Sequence, residues 1–369
     1  MISGFYHHSL YLLAVFLLSL VILYRYGLNT YTSDYKIKKG SFNFFIIIVF
    51  LFALFIGFRD PYSMAYGDTY AYTRMYEAYK GEPFSWDWSS DNFIFDNLFL
   101  WMSSLRVPIE LCYVIIAIIY FISIWFSCRI IFPNDSSAAY LVYLASLSTY
   151  SYGVNGIKAG AAAALFLMAI GMIMMRKKVW TVVFLILSLG FHHSMFLPIG
   201  ALFICYFLKN PRLYLFIWLV SFFIALLHIT FFQDLFLSIG SDIDDRVINY
   251  LGDNADGYFN LDLFGGFRID FIFYSIIPIL IGSKAIFKNK IKSQNYYLLF
   301  NTYTLINAIW MLCMYASFTN RIAYLSWLMY PFVLIYPFLN EKVGKNQHKV
   351  FKWVAYGNLA FTLFMNYIY

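Results

Sequence analysis

The chain has 369 residues, of which 62% are hydrophobic and only 12% are charged, about half the charged fraction of a soluble domain. This composition excludes a soluble globular protein and indicates a polytopic membrane protein. The formal net charge of +7 fits basic loops on the cytoplasmic side of a membrane, so we expect no nucleic-acid partner. The four cysteines lie within apolar runs and predict neither disulfides nor a metal site.

Apolar runs of helical length recur along the chain and predict about twelve transmembrane helices. They cover residues 9–24, 42–58, 109–131, 137–153, 157–175, 179–193, 194–208, 213–232, 269–287, 294–317, 322–339 and 350–369. The first run lacks a basic region before it and a cleavage site after it, so we expect a permanent span. A shorter run at 93–105 predicts an interfacial or re-entrant helix. The predicted fold class is all-α, a polytopic integral membrane helix bundle with one transmembrane domain over 1–369.

The charged residues divide between the two sides of this bundle. If the runs cross alternately from an external N-terminus, most Lys and Arg fall on one side and most Asp and Glu on the other. Basic residues are enriched in cytoplasmic loops, so the acidic side faces outward. Two hydrophilic segments, 59–108 and 233–268, then form external loops. Their tryptophans, including Trp86, Trp88 and Trp101, suit either a membrane interface or a carbohydrate-stacking surface.

Residues 57–76 form the most polar stretch beside a predicted span. It follows the apolar run 42–58 and contains Arg59, Asp60, Asp68 and Arg74. A charged side chain at a bilayer centre costs about 2.5–3.5 kcal/mol. We therefore expect this stretch at the outer membrane edge or in a water-filled cavity, although Asp60 could simply pair with Arg59.

Segment 179–208 predicts a short hairpin that carries two histidines at its turn. Basic residues precede and follow the segment, so both of its ends belong inside and it must turn back near His192. Each arm of about 15 residues reaches about 22 Å, less than the roughly 30 Å hydrocarbon core. His192 is therefore expected below the outer surface, at the floor of an outward-facing cavity.

Two further predicted hairpins place a cation at the outer turn. Segment 137–175 turns near Lys158, and segment 294–339 turns near Arg321. Snorkelling to the interface explains either cation alone, and anion binding is the alternative. Together with Arg59 and His192, they predict a cationic, water-filled pocket.

Known metal and nucleotide motifs offer no alternative site. The acidic run at 241–246 superficially resembles the DxD of nucleotide-sugar transferases, but those donors are cytoplasmic and this loop is predicted to be external. His192 and His193 are adjacent and hence lie on different faces, without HExxH or Cys/His spacing. We expect no metal and no cofactor.

Several short motifs, in order along nearly the whole chain, resemble those of a known family. They are Gly57-Phe58-Arg59-Asp60, Gly67-Asp68-Thr69-Tyr70-Ala71-Tyr72, Asn155-Gly156-Ile157-Lys158-Ala159-Gly160, His192-His193-Ser194, and Arg321. The chain resembles the EpsG/Wzy-type bacterial polysaccharide polymerases. It departs from that family at Lys158-Ala159, where arginine followed by glutamine is usual. Lysine keeps the charge but loses the bidentate fork of arginine.

The resemblance implies a multi-pass enzyme of the bacterial inner membrane whose active site faces the periplasm. It would transfer a growing undecaprenyl-diphosphate-linked glycan onto a lipid-linked repeat unit, with these oligosaccharides and membrane lipids as partners. The candidates for binding the diphosphates are Arg59, Lys158, Arg246, Arg268 and Arg321. The candidate catalytic residues are His192, Asp60 and Asp68, with His192 as the preferred general base, and the candidate substrate contacts are Tyr72, Asn155, Ser194 and Tyr250.

Two other functions compete with this interpretation. A lipid-linked oligosaccharide flippase also needs a cationic cavity, but one that alternates between sides, whereas the polar turns here are all external. An O-antigen ligase uses the same leaving group and differs only in its acceptor. The sequence leaves open the sugars joined, the stereochemistry, the O-antigen or capsule pathway, and whether a chain-length regulator is a partner.

Overall fold

The computed structural model describes residues 4–28, 40–233, 266–316 and 319–368, and the regular structure in these ranges is helical, without strands. The helices are α1 (Gly4–Leu28), α2 (Gly40–Gly57), α3 (Gly67–Ala78), α4 (Phe93–Ser104), α5 (Ile109–Ile131), α6 (Ser136–Leu144), α7 (Leu147–Val154), α8 (Ile157–Met174), α9 (Lys178–Phe191), α10 (Phe196–Phe207), α11 (Pro211–Leu226), α12 (Ile269–Ser283), α13 (Gln294–Leu312), α14 (Thr319–Trp327), α15 (Tyr330–Asn340) and α16 (Gln347–Ile368). The predicted site residues Arg246 and Tyr250 lie outside the described residues.

Each apolar run identified in the sequence contains at least one helix. Within the described ranges, four helical stretches are long and apolar enough to cross a membrane: Ile109–Ile131, Ile157–Met174, Ile269–Lys288 and Thr319–Asn340, the last of which comprises α14 and α15. Other apolar helices, such as α9 and α11, are shorter. The all-helical membrane character is thus confirmed, whereas the twelve crossings and the outward-facing loops stay predictions.

The predicted run 137–153 is interrupted between α6 and α7. The break frees the carbonyl oxygen of Ala145, which accepts hydrogen bonds from Asn358 Nδ2 at 3.2 Å and Thr362 Oγ1 at 2.8 Å. Both donors belong to α16. An interrupted helix is tolerated in a membrane protein when side chains from another helix satisfy its backbone.

The predicted run 322–339 is likewise interrupted, between α14 and α15. Pro331 lies at the second position of α15. Proline has no backbone N–H, and its ring clashes with the carbonyl of the residue four positions earlier. A continuous helix through Pro331 is therefore disfavoured, and a turn at Leu328 and Met329 separates the two helices.

The chain forms two compact units, the first comprising Met1–Phe196 and Phe338–Tyr369. Its centre is α8, which packs against α5 and α9. The small residues Ala161–Ala164 are fully buried and permit this close approach. A hydrogen bond of 2.7 Å from Ser188 Oγ in α9 to the Ala162 carbonyl joins two of the helices.

The second unit comprises Leu197–Pro337 and contains a buried polar core. Asn307 Oδ1 accepts a hydrogen bond from Trp218 Nε1 at 2.8 Å, and Asn307 Nδ2 donates to Ser326 Oγ at 3.1 Å. Trp327 Nε1 donates to Ser275 Oγ at 2.8 Å. Such contacts hold apolar helices together where the hydrophobic effect cannot. The single transmembrane domain expected from the sequence stays a prediction.

Candidate functional site

The hydrophilic segment 59–108 contains the two helices α3 and α4. The short helix α3 is anchored by buried threonine hydroxyls. Thr69 Oγ1 donates to the Val154 carbonyl, and Thr73 Oγ1 lies 2.8 Å from the Tyr113 hydroxyl. These hydrogen bonds join α3 to the end of α7 and to α5.

Arg59 follows α2, contacts α3 through Thr69 and is fully buried, with 1% of its surface exposed. Its Nη1 donates to the Ile56 carbonyl and its Nη2 to Thr69 Oγ1, both at 3.0 Å. The guanidinium also lies 4.1 Å from the centre of the Tyr113 ring. Within the described part of the chain, Arg59 forms no ion pair, so the expected pairing with Asp60 is not observed.

Burial lowers the pKa of Arg59 to about 10, and the guanidinium stays protonated at neutral pH. Its Nε has no hydrogen-bond partner among the described residues. Burying a cation without a carboxylate partner costs desolvation free energy, and in a membrane protein such a residue indicates a functional position. Asp60 instead accepts a hydrogen bond from the Tyr62 backbone N–H at 3.0 Å.

A histidine that the sequence analysis did not single out lies in α1, close to this buried arginine. His7 Nε2 lies 3.0 Å from the Phe55 carbonyl, and Nδ1 lies 2.8 Å from the Tyr150 hydroxyl. A carbonyl accepts only, so Nε2 donates and Nδ1 accepts from Tyr150. His7 thereby connects α1 to α2 and α7. A histidine just before the first apolar run is the only sequence signal for this contact.

The predicted cation Lys158 pairs with Asp96, which the sequence analysis also missed. Lys158 Nζ lies 2.5 Å from Asp96 Oδ1. The two side chains are 10% and 21% exposed, so the pair is mostly shielded from bulk water. The ammonium also lies 5.1 Å from the Tyr72 ring and 5.0 Å from the Phe95 ring.

Asn92 joins this ion pair to the histidine turn. Its Nδ2 donates to Asp96 Oδ2 at 3.4 Å, and its Oδ1 accepts from the His193 backbone N–H at 3.1 Å. Ser90 Oγ also donates to Asp96 Oδ2, at 2.6 Å. The residues Ser90, Asn92, Asp96, Lys158, His192 and His193 together form what we term the polar cluster.

His192 lies at the turn between α9 and α10, as the predicted hairpin requires, and its depth below the outer surface stays a prediction. Its Nδ1 accepts a hydrogen bond from the Ser194 backbone N–H at 3.1 Å, and its ring stacks on His193 with 4.9 Å between centres. An imidazole nitrogen that accepts a hydrogen bond carries no proton. The proton of His192 is therefore on Nε2, and the ring is a hydrogen-bond donor in this arrangement.

Of the other predicted site residues, Tyr72 contacts the polar cluster. Tyr72 contacts Lys158 through its ring, and Asp68, four residues earlier on α3, shares its helix face. Asn155, in the turn before α8, has a buried Oδ1 without a hydrogen-bond partner among the described residues. The structure thus brings Lys158, His192 and Tyr72 together within the first unit.

Arg268 and Arg321 lie in the second unit. Arg268 forms a bidentate ion pair with Asp270, at 3.0 and 2.6 Å, and lies over the Phe271 ring. Arg321 is exposed near the start of α14. Their predicted binding of diphosphate stays a prediction. Among the described residues, no group of three or more His, Cys, Asp or Glu side chains could hold a metal ion.

Comparison with known proteins identifies one family. The sequence pattern of the EpsG family matches residues 42–369, which include most of α2, all of α3 to α16 and the whole polar cluster. No curated protein and no solved structure matches the chain. The apolar helices and this match together point to a membrane protein of the polysaccharide-polymerase type. Because the match covers most of its length, the chain belongs to the EpsG family.

Proposed function

We propose that the chain is a polysaccharide polymerase of the inner membrane. It transfers a growing undecaprenyl-diphosphate-linked glycan onto a lipid-linked repeat unit at the periplasmic face. The observation that carries this proposal is the polar cluster. In it a cation, a carboxylate and two histidines from three separate segments meet beside the rings of Tyr72 and Phe95. The EpsG family membership supports the reaction class.

The cluster has donors for the charge that develops in this reaction. The bond between the anomeric carbon and the diphosphate oxygen breaks as the acceptor hydroxyl attacks, so negative charge builds on the leaving diphosphate. An ammonium has three N–H donors and Asp96 receives one. Lys158 can therefore donate its remaining N–H groups to phosphate oxygens, and we assign the Nε2–H of His192 as a second donor. Such charge stabilisation is commonly the largest catalytic contribution.

The acceptor hydroxyl must lose its proton as the new glycosidic bond forms. His192 was the preferred base from sequence, but its Nδ1 accepts from Ser194, and its Nε2 carries the proton. We therefore assign the base to Asp68, which lies in the first turn of α3 on the face of Tyr72. Asp60, which accepts from the Tyr62 backbone, is assigned to the turn before α3.

The proposal is tested with the purified full chain in nanodiscs that contain lipid-linked repeat units from the native host. A ladder of products, each one repeat longer than the last, is the expected result. Asp68→Asn should abolish the ladder while the protein remains folded. Products no longer than one repeat with the wild-type chain would refute the polymerase activity.

Deletion of the gene in its host distinguishes the polymerase from the two rival functions, the flippase and the ligase. Loss of a polymerase leaves single repeat units on their acceptor, whereas loss of a flippase leaves almost no surface sugar. Loss of a ligase leaves long chains on the lipid carrier that never reach their final acceptor. The expected result is single repeats, restored to long chains by the wild-type gene.

A further inference from the structure

Two tryptophans are exposed on the loop that connects α3 to α4. Trp86 is 45% exposed and Trp88 is 78% exposed. Their ring centres lie 5.4 Å apart and their planes are inclined at 51°. We term this pair the tryptophan platform. Large apolar side chains grouped in contact with water commonly mark a binding surface.

A buried asparagine fixes the backbone between the two tryptophans. Asn97 Oδ1 accepts from the Asp87 backbone N–H, and Asn97 Nδ2 donates to the Asp87 carbonyl, both at 2.7 Å. Asn97 is itself anchored on α4 through the Phe93 carbonyl at 2.6 Å. Asn97 forms hydrogen bonds with both backbone groups of Asp87, the residue between the two tryptophans. The two rings are therefore preorganised before any ligand binds.

The charges around the platform select against anionic ligands. The segment between Lys80 and Arg106 contains no Lys or Arg, and its acidic residues are Glu82, Asp87, Asp91 and Asp96, of which Asp96 pairs with Lys158. Ser89 donates to Asp87 Oδ1 through its backbone N–H at 2.8 Å and its hydroxyl at 2.6 Å. These hydrogen bonds lower the pKa of Asp87, which keeps the carboxylate ionised. Carboxylates repel phosphate headgroups and accept hydrogen bonds from hydroxyl groups.

The same loop leads directly into the polar cluster. Ser90, two residues after Trp88, donates to Asp96 Oδ2 at 2.6 Å. Two residues of chain span at most about 7 Å. A ligand seated on the platform therefore lies near the Lys158 and Asp96 ion pair, where the proposed reaction takes place.

We propose that the tryptophan platform binds an uncharged pyranose unit of the glycan, next to the polar cluster. The negative faces of the indole rings attract the positively polarised C–H groups on one face of a pyranose. Asp87 and its neighbours accept hydrogen bonds from the sugar hydroxyls. The proposal rests on the proposed polymerase function for the nature of the substrate.

The main alternative occupant of such rings is the lipid interface, where tryptophans are enriched. Anionic lipid headgroups attract segments rich in Lys and Arg. The platform segment has the opposite charge, which favours a glycan over a membrane surface. Trp180 on the apolar helix α9, which is 56% exposed and whose ring lies beside that of Phe184, provides a matched comparison.

Binding tests the proposal directly. The probe is a set of oligosaccharides released from the host polysaccharide by mild acid, titrated into the full chain in nanodiscs. Replacing both Trp86 and Trp88 by alanine should weaken binding at least about tenfold, from the loss of ring stacking. Replacing both by phenylalanine should retain most of the affinity, and Trp180→Ala should leave it unchanged.

Two results would overturn the proposal. One is wild-type affinity in the double alanine variant. The other is quenching of Trp86 and Trp88 fluorescence by brominated phospholipid in the nanodisc to the same extent as Trp180, which would place the rings in lipid. The difference in quenching between the wild-type chain and each tryptophan-to-phenylalanine variant gives this measurement.

The failure of the platform is distinguishable from the failure of the polymerase proposal. If only the platform is wrong, the wild-type chain and the double alanine variant both produce the same product ladder. If the polymerase proposal is wrong, the wild-type chain itself produces no ladder. If both proposals hold, the double alanine variant still joins repeats but yields shorter chains.

Discussion

Lys158 Nζ and Asp96 Oδ1 lie 2.5 Å apart although 62 positions of sequence separate the two residues. Lys158→Ala leaves the mostly buried carboxylate without its cation, which we expect to lower the free energy of unfolding by about 1–3 kcal/mol. The exchange variant Asp96→Lys with Lys158→Asp should recover stability but not polymer length. Thermal unfolding in detergent and gels of surface polysaccharide measure the two effects.

The control for this prediction is Lys80→Ala, which breaks the exposed pair with Glu77. Exposed ion pairs contribute about 0–1 kcal/mol, so stability and chain length should be unchanged. An equal loss of stability in Lys80→Ala and Lys158→Ala would contradict the special role of the shielded pair.

Arg59→Lys is expected to be inactive. Lysine keeps the charge, but it cannot reach both the Ile56 carbonyl and Thr69 Oγ1 through the two arms of a fork. Arg74→Lys, on the exposed side of α3, is the matched control and should behave as the wild-type chain. Polysaccharide length in complemented deletion strains tests both variants, and normal length in Arg59→Lys would show that polymerisation does not depend on the two hydrogen bonds of the Arg59 guanidinium.

His192→Asn separates function from structure at the turn between α9 and α10. Asparagine Oδ1 can still accept from the Ser194 backbone N–H, but the Nε2–H of the imidazole is lost. We expect unchanged thermal stability and at least about a hundredfold slower polymerisation, the range for a lost charge-stabilising donor. His348→Asn, at an exposed position, is the control.

Gly160→Ala is expected to destabilise the start of α8. A Cβ at this position would lie 2.5 Å from the Tyr152 carbonyl oxygen, a backbone atom that cannot easily yield. The cost of such overpacking is about 1–3 kcal/mol. Gly200→Ala in α10 meets nothing within 4 Å and should be neutral or stabilising. Equal melting temperatures for the two variants would contradict this packing.

His7→Phe should weaken the attachment of α1 without changing the apolar character of the helix. The variant removes the hydrogen bonds to Tyr150 and to the Phe55 carbonyl. Each uncompensated buried group costs about 1–3 kcal/mol. Limited proteolysis and thermal unfolding should both reveal the loss, whereas Tyr6→Phe, at an exposed position, should not.

Much of the local organisation follows from the sequence. The turn at His192 and the turn before Lys158 lie where the charge pattern requires the chain to reverse. The contacts of Asp96 and Asn92 could not be predicted in the same way, because their partners lie 62 and 101 residues away. The spacing of apolar residues along the sequence predicts which face of a helix is buried, but not which distant helix packs against that face.

The interrupted helices show the same limit of prediction from sequence. Pro331 is a visible local signal for the break before α15. The break at Ala145 has no such signal, because its freed carbonyl depends on Asn358 and Thr362 far along the chain. An apolar run therefore predicts a helix, whereas its interruption depends on tertiary partners.

The hydroxyl anchoring of α3 has a consequence for biogenesis. A twelve-residue helix is marginal on its own in water, and the partners of Thr69 and Thr73 lie on segments synthesised later, at Val154 and Tyr113. These anchoring hydrogen bonds can therefore form only after residues as far as Val154 have been synthesised. The position of α3, which carries Asp68 and Tyr72, thus depends on helices that follow it in the chain.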